Sequence, residues 1–180
     1  MALTLVVAAV LAGLVWTAFA FNRLVRRTNL VREAWSGIDV QLKRRHDLVP
    51  NLVEVVRSYA SFEKHLLEDV TRLRAEGRPT RALQDSENAL STQLRSVLAV
   101  AEAYPELHAN KSFLRLQEQL AEIENQLQMA RRYYNGTVRD CNTAAETFPS
   151  NLVAAGFSFP LQEFFQVESA VDRRVPEVQV

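Results

Sequence analysis

From Leu24 onward, apolar side chains recur in sevens. One register holds Leu24, Val31, Ile38, Arg45, Leu52, Tyr59, Leu66 and Leu73, and a second holds Thr28, Trp35, Leu42, Val49, Val56, Glu63 and Val70. Most of these positions are apolar, which is the pattern of a long helix packed against other helices. The phase does not slip across Pro50. A sharp hairpin there would have no reason to keep it, so a single kinked helix is expected over residues 22–76. A proline inside a helix removes one donor and crowds the preceding turn, at about 3 kcal/mol, and packing must offset that. The alternative has Asp47 capping a new helix after a tight turn at residues 45–50. The first reading gives three long helices with the first kinked, and the second gives four up-and-down helices. Either way the fold class is all-α: an elongated antiparallel helical bundle.

Gly77-Arg78-Pro79-Thr80 is the clearest turn, with Gly past a helix end and then Pro. A second helix is expected over residues 81–103, with Leu83, Leu90, Leu94, Val97, Leu98 and Ala101 as its apolar positions. Tyr104-Pro105 breaks it. A third is expected over residues 106–146, its seam running through Phe113, Leu116, Leu120, Ile123, Leu127, Ala130, Tyr134, Thr137, Cys141 and Ala144. Gly136 weakens that helix by up to about 1 kcal/mol relative to Ala, and a close helix crossing is one reason for it to be there. Phe148-Pro149-Ser150-Asn151 ends the helix. The apolar stretch over residues 151–165 is expected to pack on the membrane-proximal half of the bundle or to touch the bilayer surface. Residues 166–180 read as a polar, disordered tail.

The first 21 residues carry no charge and are mostly Val, Leu, Ala and Phe. About 20 apolar residues cross a hydrocarbon core of ~30 Å when helical, and lipid requires that they be helical. Residues 1–21 are therefore expected to be a transmembrane anchor, with the bundle over residues 22–165. Ala18-Phe19-Ala20 resembles a signal-peptide cleavage site, but the start has no basic region and the apolar run is long for a secretory signal. Arg23, Arg26 and Arg27 follow at once, and nothing basic precedes the run. The positive-inside rule then puts the bundle in the cytoplasm, on a single-pass anchor. The same arginines can touch anionic headgroups, at about 1 kcal/mol each, and a role as topology determinants alone is the plainer reading of them.

Charge changes the picture little. The chain has 21 basic and 21 acidic residues in 180, a balance that argues against a nucleic-acid binder. One cysteine, Cys141, excludes an internal disulfide and a cysteine-rich metal site. The sequence holds no Glu-x-x-His pair, His-Glu-x-x-His, phosphate loop or nucleophile elbow. No catalytic residue, metal ligand or cofactor is assigned. His65 and Asp69 share a helix face, and an exposed hydrogen-bonded pair is the plainer reading of them. Arg44, Arg45, His46 and Asp47 crowd Pro50, with Glu63 further along. They form a candidate partner site, or a polar network that satisfies freed backbone groups and sets helix register. Arg45 falls on the seam, so it must be paired or reach solvent. Arg131 and Arg132, beside Tyr133 and Tyr134, have the fork geometry for a phosphate but read as an exposed face next to a core tyrosine. Trp35 and Cys141 read as core packing.

The run Glu33 to Val53 resembles the signature region of the LemA family of bacterial membrane proteins. Arg57-Ser58-Tyr59-Ala60, Tyr104-Pro105-Glu106-Leu107, Phe113-Leu114-Arg115-Leu116-Gln117, Ala130-Arg131-Arg132-Tyr133-Tyr134-Asn135 and Phe148-Pro149-Ser150-Asn151-Leu152 resemble the rest of the pattern, in order. The chain departs at Cys141, in a segment where many relatives have Tyr. The resemblance implies an amino-terminal anchor, here in the bacterial inner membrane, and an all-helical domain, and it brings no enzymatic activity with it. The family also includes magnetosome-associated proteins, which points to membrane organisation.

The expected function is a membrane-anchored scaffold or adaptor that binds protein partners or self-associates as a homo-oligomer. One alternative is a lipid-surface, membrane-organising module using Arg23, Arg26, Arg27 and the 157–165 segment. Another is a metal-binding or enzymatic bundle with its site near Pro50.

Overall fold

The computed structural model describes residues 1–58, 81–102 and 104–165. Among them every regular element is a helix and no strand occurs. Helix α1 spans Ala2–Arg57, 56 residues. It is followed by α2 (Arg81–Glu102), α3 (Pro105–His108), α4 (Lys111–Glu146) and α5 (Ser150–Gly156). The turn at residues 77–80, the residues Glu63, His65 and Asp69, and the 166–180 tail lie outside the described residues.

Helix α1 carries Pro50 inside it. The stretch from Arg45 to Pro50 is therefore helix, and the reading with a tight turn there is set aside. Proline has no N–H, so the carbonyl four residues back, that of His46, lacks its usual helical donor.

The third helix is not continuous. Residues 105–108 form a separate short turn, opened by Tyr104 in extended conformation with Pro105 in the first position. Asn110 then starts α4: its Oδ1 accepts from the backbone N–H of Ser112 at 2.8 Å and of Phe113 at 3.2 Å. Those are two of the donors that a helix start leaves unsatisfied. The break also drives Leu107 fully inward. A Cβ built on Gly136 would meet nothing within 4 Å, so no close helix crossing accounts for that glycine.

The chain divides into two compact units. The unit that takes in Leu42–Asn125 has a core of Val49, Leu52, Val53 and Val56 from α1, Leu90, Leu94, Val97 and Ala101 from α2, Leu107 from α3, and Phe113 and Leu120 from α4. Val49, Leu52 and Val56, Leu90, Leu94, Val97 and Ala101, and Phe113 and Leu120 are seam positions of the sequence, and Val53 and Leu107 join them in the core.

The other unit comprises Met1–Gln41 and Gln126–Phe164. Its first helical stretch is long and apolar enough to cross a membrane, and none of its most apolar window is buried in the protein. Leu3, Val7, Leu11, Leu14 and Phe19 are all exposed. Burial begins at Ala20 and Leu24, which pack with Val153 and Ala154 of α5, flanked by Phe21 and Phe159. Phe21 meets Phe157 and Phe159 edge-on, with centroids 4.9 Å and 5.5 Å apart. Ser158 takes a left-handed φ of 54° after α5. The backbone N–H of Phe159 then reaches the carbonyl of Ala154 at 2.9 Å, which turns the aromatic segment back.

Pro50→Ala restores the donor that His46 lacks. The full chain, unfolded by denaturant in detergent, is expected to gain stability, by up to about 3 kcal/mol. A loss of stability would show that the proline ring is needed where it stands.

Candidate functional site

In the unit that takes in Leu42–Asn125, the seam cation is the centre of a buried polar cluster. Arg45 is only 1% exposed, and so is Glu87 of α2. One guanidinium nitrogen of Arg45 donates to Glu87 Oε2 at 3.3 Å. The other lies 2.9 Å from Glu124 Oε1 of α4 and donates to Ser91 Oγ at 2.7 Å. His46 Nε2 sits 2.8 Å from Glu87 Oε1. Ser91 Oγ in turn donates to the Glu87 carbonyl at 3.0 Å.

The arrangement follows from burial. An isolated buried guanidinium is strongly unfavourable, and carboxylates in hydrogen-bonding contact offset the lost hydration. Both Glu87 oxygens are engaged, one by Arg45 and one by His46. Glu124, 34% exposed, supplies the second carboxylate from the rim. One Arg thus links three helices, and its planar fork suits that task better than an ammonium.

The four residues around Pro50 therefore separate. Arg45 and His46 enter the cluster, whereas Arg44 and Asp47 are exposed. Sequence reasoning missed Glu87, Ser91 and Glu124. A signal for Glu87 was present: Leu83, Glu87, Leu90, Leu94, Val97 and Ala101 advance by threes and fours, so Glu87 is the seam carboxylate facing a seam arginine. Among the described residues no group of three His, Cys, Asp or Glu side chains is arranged to hold a metal.

In the unit built on Met1–Gln41 and Gln126–Phe164, polar side chains tie down an extended strap. Asn142 Nδ2 donates to the Gln162 carbonyl at 2.9 Å, and its Oδ1 accepts from the Gln162 N–H at 2.8 Å. The side-chain amide thereby pairs as a strand backbone would. Tyr134 Oη donates to the Glu163 carbonyl at 2.9 Å, with its ring edge-on to Trp35 at 5.5 Å. Burial, and secondarily the charge of Glu163, push the Tyr134 phenol above its usual 10.0. Cys141 is buried, its sulfur 3.9 Å from the Thr28 hydroxyl. Tyr133 and Arg132 are exposed beside the buried Tyr134. Of the cationic trio after the apolar run, Arg23 and Arg26 are exposed, and half-buried Arg27 donates to the Asp140 carbonyl.

Fold and site together define a helical-bundle protein led by a helix able to cross a membrane. The chain belongs to the LemA family, whose profile matches residues 34–180. It is 27% identical to Protein LemA of Metamycoplasma hominis over 137 residues, which cover 74% of this chain and 63% of that one. The chain thus spans less than two thirds of that relative's length. It is 22% identical to Magnetosome protein MamQ 2 of Paramagnetospirillum magneticum, over 92% of this chain and 72% of that one. Against Magnetosome protein MamQ of Magnetospirillum gryphiswaldense it is 18% identical, over 89% and 70%.

Two measurements check these contacts. Arg45→Met leaves Glu87 buried without its cation and is expected to lower unfolding free energy by about 3–5 kcal/mol, while adding Glu87→Leu recovers most of that loss. A single-variant cost below about 1 kcal/mol would mean that the cluster does not organise the core. For Tyr134 the raised pKa means that the folded state holds the proton more tightly. Its contribution is fully present below pH 10.0 and is lost as pH rises through the raised value. The ultraviolet titration difference between wild type and Tyr134→Phe should have its midpoint above 10.0, and one at or below it would count against the buried phenol.

Proposed function

We propose that this protein is a membrane-anchored helical scaffold or adaptor. It presents its bundle to protein partners, or to further copies of itself, at the bilayer surface. The observation that carries the reading is α1: one helix runs from an exposed apolar stretch through Leu24 and Ile38 into the core residues Leu52 and Val56. The segment suited to lipid and the segment that builds the bundle are thus the same element. Family membership supports a membrane-associated role, and the magnetosome relatives bear that compartment's name. The ionic cluster supports a role other than catalysis. Arg45, Glu87 and His46 are engaged by one another inside the core, and Arg44 and Asp47 on the exposed side are left for partners. Arg23, Arg26 and Arg27, directly after the apolar run, favour a cytoplasmic bundle on an inner-membrane anchor.

A second reading, a lipid-surface module, is favoured by the exposed Phe157 and Phe164 and the exposed Arg23 and Arg26 of the same unit.

A photo-crosslinking residue at Arg44 or Asp47, activated in intact membranes, is expected to give discrete adducts above the 20.4 kDa chain. Mass analysis then separates self-association from other partners. Carbonate washing should leave the chain, with residues 1–20 retained, in the membrane pellet. A chain starting after Ala20 in the soluble fraction, with no adducts at either position, would defeat the proposal.

A further inference from the structure

The unit built on Met1–Gln41 and Gln126–Phe164 contains a cavity of about 400 Å³. One wall is a single face of α1: Trp16, then Phe19 and Ala20, then Arg23 and Leu24, then Arg27, each set three or four residues beyond the one before. The opposite wall is the end of α4 and the turn into α5, where Thr143, Thr147 and Phe148 stand. Its volume lies in the range of small-molecule sites.

The wall is graded. Trp16 and Phe19 belong to the charge-free run, and Arg23 and Arg27 come directly after it. Trp16 and Arg27 are 11 positions apart, about 16 Å along a helix. The cavity therefore straddles the level at which the apolar run gives way to charge. At its apolar end Phe19 and Phe148 are 71% and 75% exposed. Toward its polar end Arg27 is fixed by donating to the Asp140 carbonyl. Arg23 has neither a hydrogen bond nor an ion pair among the described residues, and no acidic side chain lines the space. The Thr147 and Ser150 hydroxyls give their protons to backbone carbonyls, so they offer acceptor lone pairs to the interior.

We propose that this cavity is a binding site for one anionic phospholipid. Arg23 takes the phosphate through its guanidinium fork, with Arg27 adding positive charge from the wall. Thr147 and Ser150 accept from headgroup hydroxyls. The upper acyl chain lies against Trp16, Phe19 and Phe148. Charge complementarity selects the anion, and the apolar half selects an amphiphile over free phosphate. The site rests on residues 1–21 lying in the bilayer. Carbonate washing reads that condition separately, because a lipid titration in detergent does not depend on it.

The experiment is native mass spectrometry of the full chain in mild detergent, titrated in turn with phosphatidylglycerol, phosphatidylcholine and inorganic phosphate. One phosphatidylglycerol should be retained at about fivefold or greater preference over phosphatidylcholine, the weight of one basic side chain at an anionic surface. Inorganic phosphate alone should not be retained. Arg23→Gln, at an exposed position, should abolish the preference, and Thr143→Phe, which fills the space, should abolish retention. Arg26→Gln changes charge equally on the same helix but lies outside the cavity, and it should keep both. Circular dichroism confirms that each variant is as helical as wild type. If Arg26→Gln loses as much as Arg23→Gln, the attraction is a diffuse surface field and the site is refuted. Equal retention of phosphatidylcholine, or of inorganic phosphate, refutes it as well.

Discussion

A guanidinium taken almost wholly out of water is the constraint around which the bundle core is arranged. Arg45 sits where the heptad pattern would place an aliphatic side chain, so the core has to bring carboxylates to it. Glu87 and Glu124 come from two other helices. The three elements are thereby held in one register by an interaction with fixed directions, whereas apolar packing alone tolerates sliding. The surrounding Val49, Leu52, Leu90, Leu94 and Phe113 supply most of the burial. The charged cluster decides which faces meet. His46 engages the second Glu87 oxygen, so each oxygen of that carboxylate has a partner.

The same economy of backbone and side chain appears in the other unit. The strap over residues 159–164 has no strand partner, yet its polar groups meet Asn142 and Tyr134 rather than going unpaired. A buried backbone amide must be satisfied by something. Here an Asn side chain presents both an acceptor and a donor in the spacing of a peptide. With the strap tied down, Phe159 stays against Phe21, and Val153 and Ala154 stay against Ala20 and Leu24. This packing starts at the residue where the apolar run ends.

Much of this was legible in the residues. The helical seams, the charge-free start and the need for Arg45 to find a partner are periodic or local signals, and each survives in the structure. Other features were not legible, for identifiable reasons. Asn110 as a helix start was hidden because apolar positions resume at Phe113 soon after Leu107, and periodicity does not register a two-residue break. Gly136 invited a packing explanation, but its surroundings are open. Glu87 and Glu124 were hidden because the polar neighbours of Arg45 in sequence are Arg44, His46 and Asp47, whereas its carboxylate partners lie on other helices. Pairing across helices requires comparing seams, and a carboxylate on a seam of α2 is the complement that such a comparison finds.

That distinction bears on where function resides. A catalytic bundle usually points perturbed ionisable groups into a space that substrate can enter. In the described part of this chain Arg45, Glu87, Glu124 and His46 instead pair with one another, although the Arg45 Nε makes no hydrogen bond. The cavity lies elsewhere, on the face of α1 between Trp16 and Arg27, and its wall changes from aromatic to cationic within a few turns. A wall graded in this way discriminates by amphiphilicity, since a soluble anion gains nothing from Phe19 and a neutral lipid gains nothing from Arg23. On the proposed reading the cavity discriminates at the boundary between hydrocarbon and water. On that reading a lipid held in the cavity gives the protein a second contact with the bilayer, beside the apolar stretch of α1.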